Sequence, residues 1–315
     1  MRKLNYLIFI TIFLLVSCGD KNSEEKKYFE ILEKDEKIIS VKMFDDKIYN
    51  VPLQPKRVVV LYNSLLEPWK LCGGNITGRV VARNSLAKWA EKIPVMGNMG
   101  SPNIEVIMQK EPELVVIADN IRGQNKIKSF LQQNNIPVLP INYATYFDFL
   151  DILKLFSIIN ESEKEIKPVI AGLKNKINLT VDRLKNNRNL KALILFASTK
   201  NISCELPGGD TGTLLQILGI ENVIKYSPIN NSRRVEFSLE KIVELDPDII
   251  FVKTMGDTDK IKSRLGKELI NNNAWKKLNA VKNNKVYFLP KEMFMFKANF
   301  KYPDAIEYLA EKINN

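Results

Sequence analysis

The feature that most constrains this chain is a gapless internal echo. Residues 103–116, Asn-Ile-Glu-Val-Ile-Met-Gln-Lys-Glu-Pro-Glu-Leu-Val-Val, align with residues 238–251, Ser-Leu-Glu-Lys-Ile-Val-Glu-Leu-Asp-Pro-Asp-Ile-Ile-Phe, at an offset of 135 positions. Each copy opens on a capping residue, Asn103 or Ser238, whose side chain can accept from the first-turn N–H groups. A short amphipathic helix, an acidic-Pro turn and a buried strand follow. A helix cannot bury its apolar stripe without a sheet beside it, so two such copies imply two similar α/β lobes.

The flanking pattern agrees. Strands are expected at 57–62, 78–82, 113–118, 137–141, 193–197, 248–252 and 286–289. Helices are expected at 65–72, 103–110, 125–134, 146–159, 211–218, 257–270, 274–281 and 303–313, with a hairpin at 38–51. Strand–helix alternation points to parallel sheets covered on both faces. A helix over 161–185, roughly 37 Å at 1.5 Å per residue, is long enough to cross from one lobe to the other. Pro168 should kink it or mark a later start. The fold class is therefore α/β, with two Rossmann-like lobes joined by one long helix. The expected divisions are a first lobe at 37–160, the interlobe helix at 161–187 and a second lobe at 188–315.

The first residues follow different rules. Arg2 and Lys3 precede an apolar run over 4–16, closed by Ser17-Cys18. That run is too short to span a bilayer comfortably and reads as a signal-peptide core. A small residue before cysteine resembles a lipoprotein cleavage box, which makes Cys18 the acylated residue and 1–18 the signal. Residues 19–36, rich in Lys, Glu and Asn, are expected to form a flexible tether.

Composition excludes several chemistries. The chain has no histidine, so zinc hydrolases, histidine-based triads and histidine-ligated haem are ruled out. Cys72 and Cys204 fall in different lobes with no CxxC or metal-finger spacing, so a disulfide between them is open but not the expectation. The net charge of +11 comes from dispersed lysines without interleaved aromatics. It reads as a solvated surface rather than a nucleic-acid face.

Several blocks together resemble the periplasmic-type binding proteins for iron–siderophores, haem and vitamin B12, whose lobes are joined by one long helix. They are Pro55-x-Arg57-Val58-Val59, the block from Gly97 through Pro102-Asn103-Ile104-Glu105 to Glu111-Pro112-Glu113, Ser238-Leu239-Glu240 to Asp246-Pro247-Asp248, and Ala274-Trp275 to Val281 with Val286-Tyr287. The resemblance implies an extracytoplasmic, monomeric, lipid-anchored binding component of an ABC importer. Such a protein is not an enzyme and holds no resident cofactor or metal. Its partners are a permease dimer, that permease's ATPase and a small-molecule iron chelate or tetrapyrrole. Glu105 and Glu240 match the family's permease-docking glutamates. The plainer reading is that each only complements its helix dipole; the two can hold together, and the repetition in both lobes favours docking.

A ligand would sit between the lobes, at the carboxyl ends of the strands. Candidate contacts are Tyr62, Asn63, Arg83, Trp89, Met99 and Arg122 in the first lobe, and Arg233, Arg234, Met255 and Phe296 in the second. Aromatics offer a flat apolar wall, and arginines offer paired donors to carboxylate or catecholate oxygen. A ferric siderophore is favoured because it needs no protein ligand to iron. Haem, through Tyr62 or a methionine such as Met99, Met255 or Met293, is second, and cobalamin is third. Residues 207–212, Pro-Gly-Gly-Asp-Thr-Gly, lack the Gly-Lys-Ser/Thr ending of a phosphate loop and read as a glycine-rich approach to a helix. The alternatives of another class are a lipid-anchored sensor without transport and, less favoured, a chelatase-like enzyme.

Overall fold

A computed structural model describes residues 27–82, 86–184, 190–225 and 232–314. The chain opens on an antiparallel sheet of β1 (Phe29–Lys34), β2 (Ile38–Met43) and β3 (Ile48–Pro52). Ile39, Val41 and Met43 alternate along β2 and form its buried face. The presence of β1 corrects the expected tether. Phe29 lies opposite Met43 and Ile31 opposite Val41, so a charged stretch still carries enough apolar side chains in register to add a strand. The tether before residue 27, the signal segment and Cys18 lie outside the described residues.

The first lobe is built on four parallel strands in the order β5-β4-β8-β9. They are β4 (Val58–Val60), β5 (Gly78–Arg79), β8 (Leu114–Ala118) and β9 (Val138–Ile141). Between β5 and β8 a small hairpin, β6 (Gly97–Asn98) and β7 (Ser101–Pro102), turns at Met99 and Gly100. Every residue of β4, β8 and β9 is buried, as befits a sheet covered on both faces. The helices are α1 (Leu66–Leu71), α2 (Lys88–Glu91), α3 (Ile104–Met108), α4 (Arg122–Gln133) and α5 (Tyr146–Ile159).

The connecting helix α6 (Glu163–Arg183) starts later than residue 161 and keeps Pro168 in its second turn. Its 21 residues span about 31 Å at 1.5 Å per residue.

The second lobe contains β10 (Lys191–Ser198), β11 (Ile202–Glu205), α7 (Asp210–Ile217), β12 (Glu221–Asn222), β13 (Arg234–Glu236), α8 (Leu239–Leu245) and β14 (Ile249–Met255). After these come α9 (Thr258–Leu265), α10 (Asn273–Lys276), α11 (Asn279–Lys282), β15 (Val286–Phe288), α12 (Lys291–Phe294) and α13 (Tyr302–Asn314). Its sheet runs β13-β11-β10-β14-β15, with β12 beside β10. Here the expectation of an all-parallel sheet is corrected. β11 returns antiparallel to β10 and pairs antiparallel with β13, because the short turn after Ser198 permits only a hairpin. Two expected helices are also shorter. The stretch 257–270 passes into a π turn after Leu265, and 274–281 divides into α10 and α11.

The echo is physical. Asn103 accepts from the Glu105 and Val106 N–H groups, and Ser238 accepts from that of Lys241. Glu111 and Asp246, each just before the proline, both adopt left-handed backbone, with φ of 44° and 39°. After the proline, Glu113 pairs with Arg57 at 3.0 Å and Asp248 accepts from the Lys191 N–H at 2.9 Å. In each lobe the acidic residue thus pins the start of the strand beside its own.

One apolar cluster runs through both lobes. It joins Trp69, Phe149 and Phe156 of the first lobe to Ile170 and Leu173 of α6 and to Leu214, Phe251 and Tyr302 of the second. Asn299, in left-handed backbone at φ 51°, adds a polar clasp. Its Nδ2 donates to the Ser64 carbonyl at 2.8 Å, and its Oδ1 accepts from the Tyr143 hydroxyl at 2.9 Å. A core shared in this way predicts a single cooperative unfolding transition by calorimetry. Phe149→Ala should cost about 3–5 kcal/mol without splitting that transition. Two separate transitions would contradict the shared core.

Candidate functional site

The carboxyl ends of the first-lobe strands form an apolar wall. Tyr62, Asn63, Val81, Met99 and Ile121, together with Met295, Phe296 and Lys297 from the second half, line a cavity of about 440 Å³. Gln124, fully buried in the first turn of α4, fixes this wall. Its Nε2 donates to the carbonyls of Leu61 at 2.8 Å and Met99 at 2.9 Å, while its Oε1 accepts from the Ala118 N–H at 2.7 Å. One side chain therefore ties together three separate segments of the first lobe. Neighbouring Gly123 is obligatory, since a Cβ there would lie 1.8 Å from the Gly100 carbonyl oxygen. Asn63 donates to the Val80 and Val81 carbonyls, leaving its buried Oδ1 without a partner among the described residues. Burial pushes the Tyr62 hydroxyl up to about 12, so it is a neutral phenol at ordinary pH.

Across the cleft the second lobe presents charge. A smaller recess of about 160 Å³ is lined by Phe196, Arg233, Arg234, Lys253, Lys297, Glu205 and Asp210. Glu205 and Lys253 form a buried ion pair at 2.8 Å, with side chains 5% and 7% exposed. The other Glu205 oxygen accepts from the Thr211 and Gly212 N–H groups at the start of α7. That arrangement excludes the phosphate-loop reading of 207–212, because a protein carboxylate already occupies the helix N-terminus. Asp210 accepts from the Tyr302 hydroxyl at 3.0 Å and faces Lys297 at 3.8 Å. Burial pushes the Asp210 carboxyl up and the Lys297 ammonium down, and each opposes the other's shift. Arg234 lies 3.9 Å over the Phe196 ring. Among the described residues neither Arg233 nor Arg234 joins an ion pair.

The structure brings together some of the expected contacts and not others. Tyr62, Asn63, Met99 and Phe296 line the apolar cavity, and Arg233 and Arg234 line the recess. Met255 instead borders a broader hollow of about 760 Å³ on the second lobe, beside Lys200 and Arg264. Trp89 on α2 and Arg122 at the start of α4 are exposed and line neither cavity. Arg83 lies outside the described residues. Glu105 and Glu240 occupy the second position of α3 and α8, and both are exposed. Cys72 and Cys204 are free and buried, and burial pushes both thiols up to about 12. Among the described residues no cluster of histidine, cysteine and carboxylate could hold a metal ion, and no helix is long and apolar enough to cross a membrane.

Sequence reasoning missed Gln124, Glu205 and Asp210. Gln124 looks like one more polar residue in a helix's first turn. Only Glu205 carried a signal: an isolated acid at the end of an apolar strand, just before a glycine-rich helix start, is suited to cap that helix.

A family model described as periplasmic binding protein matches residues 58–293. The high-affinity heme uptake system protein IsdE of Staphylococcus aureus is 26% identical over 318 aligned positions, covering 98% of this chain and 97% of that one. The crystal structure of S. aureus IsdE complexed with heme superposes with a TM-score of 0.70 at 22% identity, covering 82% of this chain and 99% of that one. S. aureus SirA complexed with staphyloferrin B gives 0.67 at 23% identity, with 85% and 96% covered. These structural likenesses establish the fold.

The buried ion pair sets a test of the recess. Glu205→Ala leaves Lys253 buried without its partner and frees two N–H groups of α7. Urea unfolding should show a loss of about 3–5 kcal/mol. A change below 1 kcal/mol would mean that the pair is solvated.

Proposed function

The chain belongs to the periplasmic binding protein family, and we propose that it is the extracytoplasmic substrate-binding component of an ABC importer for haem. It would hold one molecule in the interlobe cleft and pass it to a permease dimer driven by an ATPase. The observation that carries this reading is the pairing of two unlike surfaces. An apolar cavity with Met99, Met295 and Phe296 opens beside a recess with Arg233 and Arg234, and Lys297 borders both. A flat, largely apolar tetrapyrrole with acid groups along one edge has the matching division. Methionine thioether is an established axial ligand for haem iron, and it suits a chain without histidine. The relatives named as haem uptake proteins, similar over almost the whole length, support the same choice.

A ferric siderophore is the second reading, and Arg233 and Arg234 favour it. Their guanidinium groups suit anionic chelates with no demand for a protein ligand to iron. Cobalamin stands third.

The remaining parts of the proposal concern anchoring and docking. Acylated Cys18 would hold the protein to the membrane as a monomer, through a tether that ends before β1. Glu105 and Glu240, on equivalent helices of the two lobes, would meet cationic pockets on the two-fold permease. The boundaries that go with this are a first lobe to residue 160, a connecting helix through 187 and a second lobe to 315. We read the protein as a binder and not an enzyme, which its family membership supports.

Titration of the soluble form, cut after Cys18, with haemin should give a saturable Soret shift at one equivalent. Met99→Ala or Met295→Ala should weaken binding by about tenfold or more and move the band. Absence of any shift, with saturable quenching by a ferric siderophore instead, would transfer the assignment to the second reading. The double variant Glu105→Ala/Glu240→Ala should abolish uptake in cells while leaving haemin binding unchanged. Uptake retained in that variant would overturn the docking role.

A further inference from the structure

We propose that Lys297 is the residue that reads the acid groups of the ligand, making the cleft selective for tetrapyrroles with free carboxylates. This inference rests on the haem reading and assigns its selectivity to one side chain. Lys297 follows α12 and lines both the apolar cavity and the cationic recess. Its side chain is only 17% exposed.

The position of the ammonium is determined from several sides. It donates to the Ala144 carbonyl of the first lobe at 2.7 Å and lies 4.8 Å over the Tyr143 ring. An ammonium has three donors, and one of them is used in that hydrogen bond. Asp210, the carboxylate facing it, stands at 3.8 Å, beyond hydrogen-bond range, and is held there by the Tyr302 hydroxyl. Asp210 therefore compensates the charge of Lys297 without satisfying its donors. The side chain that carries the other two donors lines both cavities.

The neighbouring cations differ from Lys297 in this respect. Lys253 is closed in its pair with Glu205 at 2.8 Å. Arg234 is stacked on Phe196, and both Arg233 and Arg234 are exposed. Lys297 is a mostly buried cation at the junction where an apolar body would end and an acid group begin. Little water competes for a carboxylate there, so a charge-assisted hydrogen bond counts for more than one at the rim.

The test is a cycle between protein and ligand. Haemin and its dimethyl ester, in which both acid groups are blocked, are titrated by Soret absorbance into the wild-type protein, Lys297→Met and Lys297→Arg. Wild type is expected to prefer the free acid by about ten- to a hundredfold, the range of a hydrogen bond to a charged group. Lys297→Met should reduce that preference to within about threefold while binding the ester nearly as well as wild type does. Lys297→Arg should keep part of the preference. A thermal melt of each variant checks folding, and Lys297→Gln replaces the methionine variant if that one fails to fold.

An unchanged acid-to-ester ratio in Lys297→Met, or equal binding of acid and ester by wild type, overturns the role of Lys297 and leaves the haem reading intact. No saturable haemin spectrum in the wild type overturns both.

Discussion

The two lobes share an aromatic core, and the width of the cleft depends on it. Tyr302, at the start of α13 in the second half of the chain, packs 5.3 Å from Tyr146 and 5.8 Å from Phe149, both on α5 of the first lobe. Phe300 meets Phe149 at 5.2 Å. Swinging the lobes apart would expose these rings. Fully exposing one buried ring of this size would cost about 1.5–3 kcal/mol. The clasp of Asn299 on Ser64 lies in the same seam and would break with them. Connection by one rigid helix and one continuous core leaves room for shear of small amplitude and little for hinge opening. A cleft held in this way is largely preformed, so little binding energy is spent on ordering it.

That rigidity also accounts for the charges. Burying Glu205, Lys253, Asp210 and Lys297 close together is costly unless each is compensated. Glu205 takes two N–H groups of α7 and the Lys253 ammonium, and Asp210 takes the Tyr302 hydroxyl. Tyr302 thus has two roles: its ring closes the interlobe core and its hydroxyl steadies an acid at the floor of the recess. Internal compensation consumes both carboxylates of the recess and one of its lysines. The positive groups left over face the cleft.

The sequence made the architecture legible where period and punctuation agree. The echo exposed two lobes because both copies obey the same local demands: a capping side chain, a left-handed acidic residue and a proline that ends the turn. The helix at 146–159 was readable to the residue, since Thr145 and Asp148 form a reciprocal cap and Asn160 ends it. The strand at 29–34 was hidden because its burial pattern is almost wholly exposed and its charges suggest a tether. β11 and β13 were hidden because short, half-buried strands carry little periodicity and owe their existence to pairing with β10. Tyr62, Asn63 and Met99 reach the apolar cavity because they directly follow strands or sit in a turn. Trp89 and Arg122 were named by the same rule, as residues just after strands, and both are exposed and line neither cavity. Gln124 and Asp210 act through contacts with residues distant in sequence or through burial, and composition shows neither.

The same rigidity bears on how the two lobes could be read together. Glu105 and Glu240 occupy matching positions on helices that each start from a side-chain cap. A carboxylate at the second helical position is held near the positive end of its helix, so each is oriented by local structure rather than by contact with the other. Because the shared core fixes one lobe against the other, it also fixes the separation of the two acids. Under the proposed reading, a two-fold partner with cationic pockets at that spacing gains from both contacts at once, the second being intramolecular after the first. A flexible hinge would dissipate that gain. Under the same reading, the core that sets the width of the cleft would also set the spacing of the docking points and so tie capture and delivery to one structural constraint.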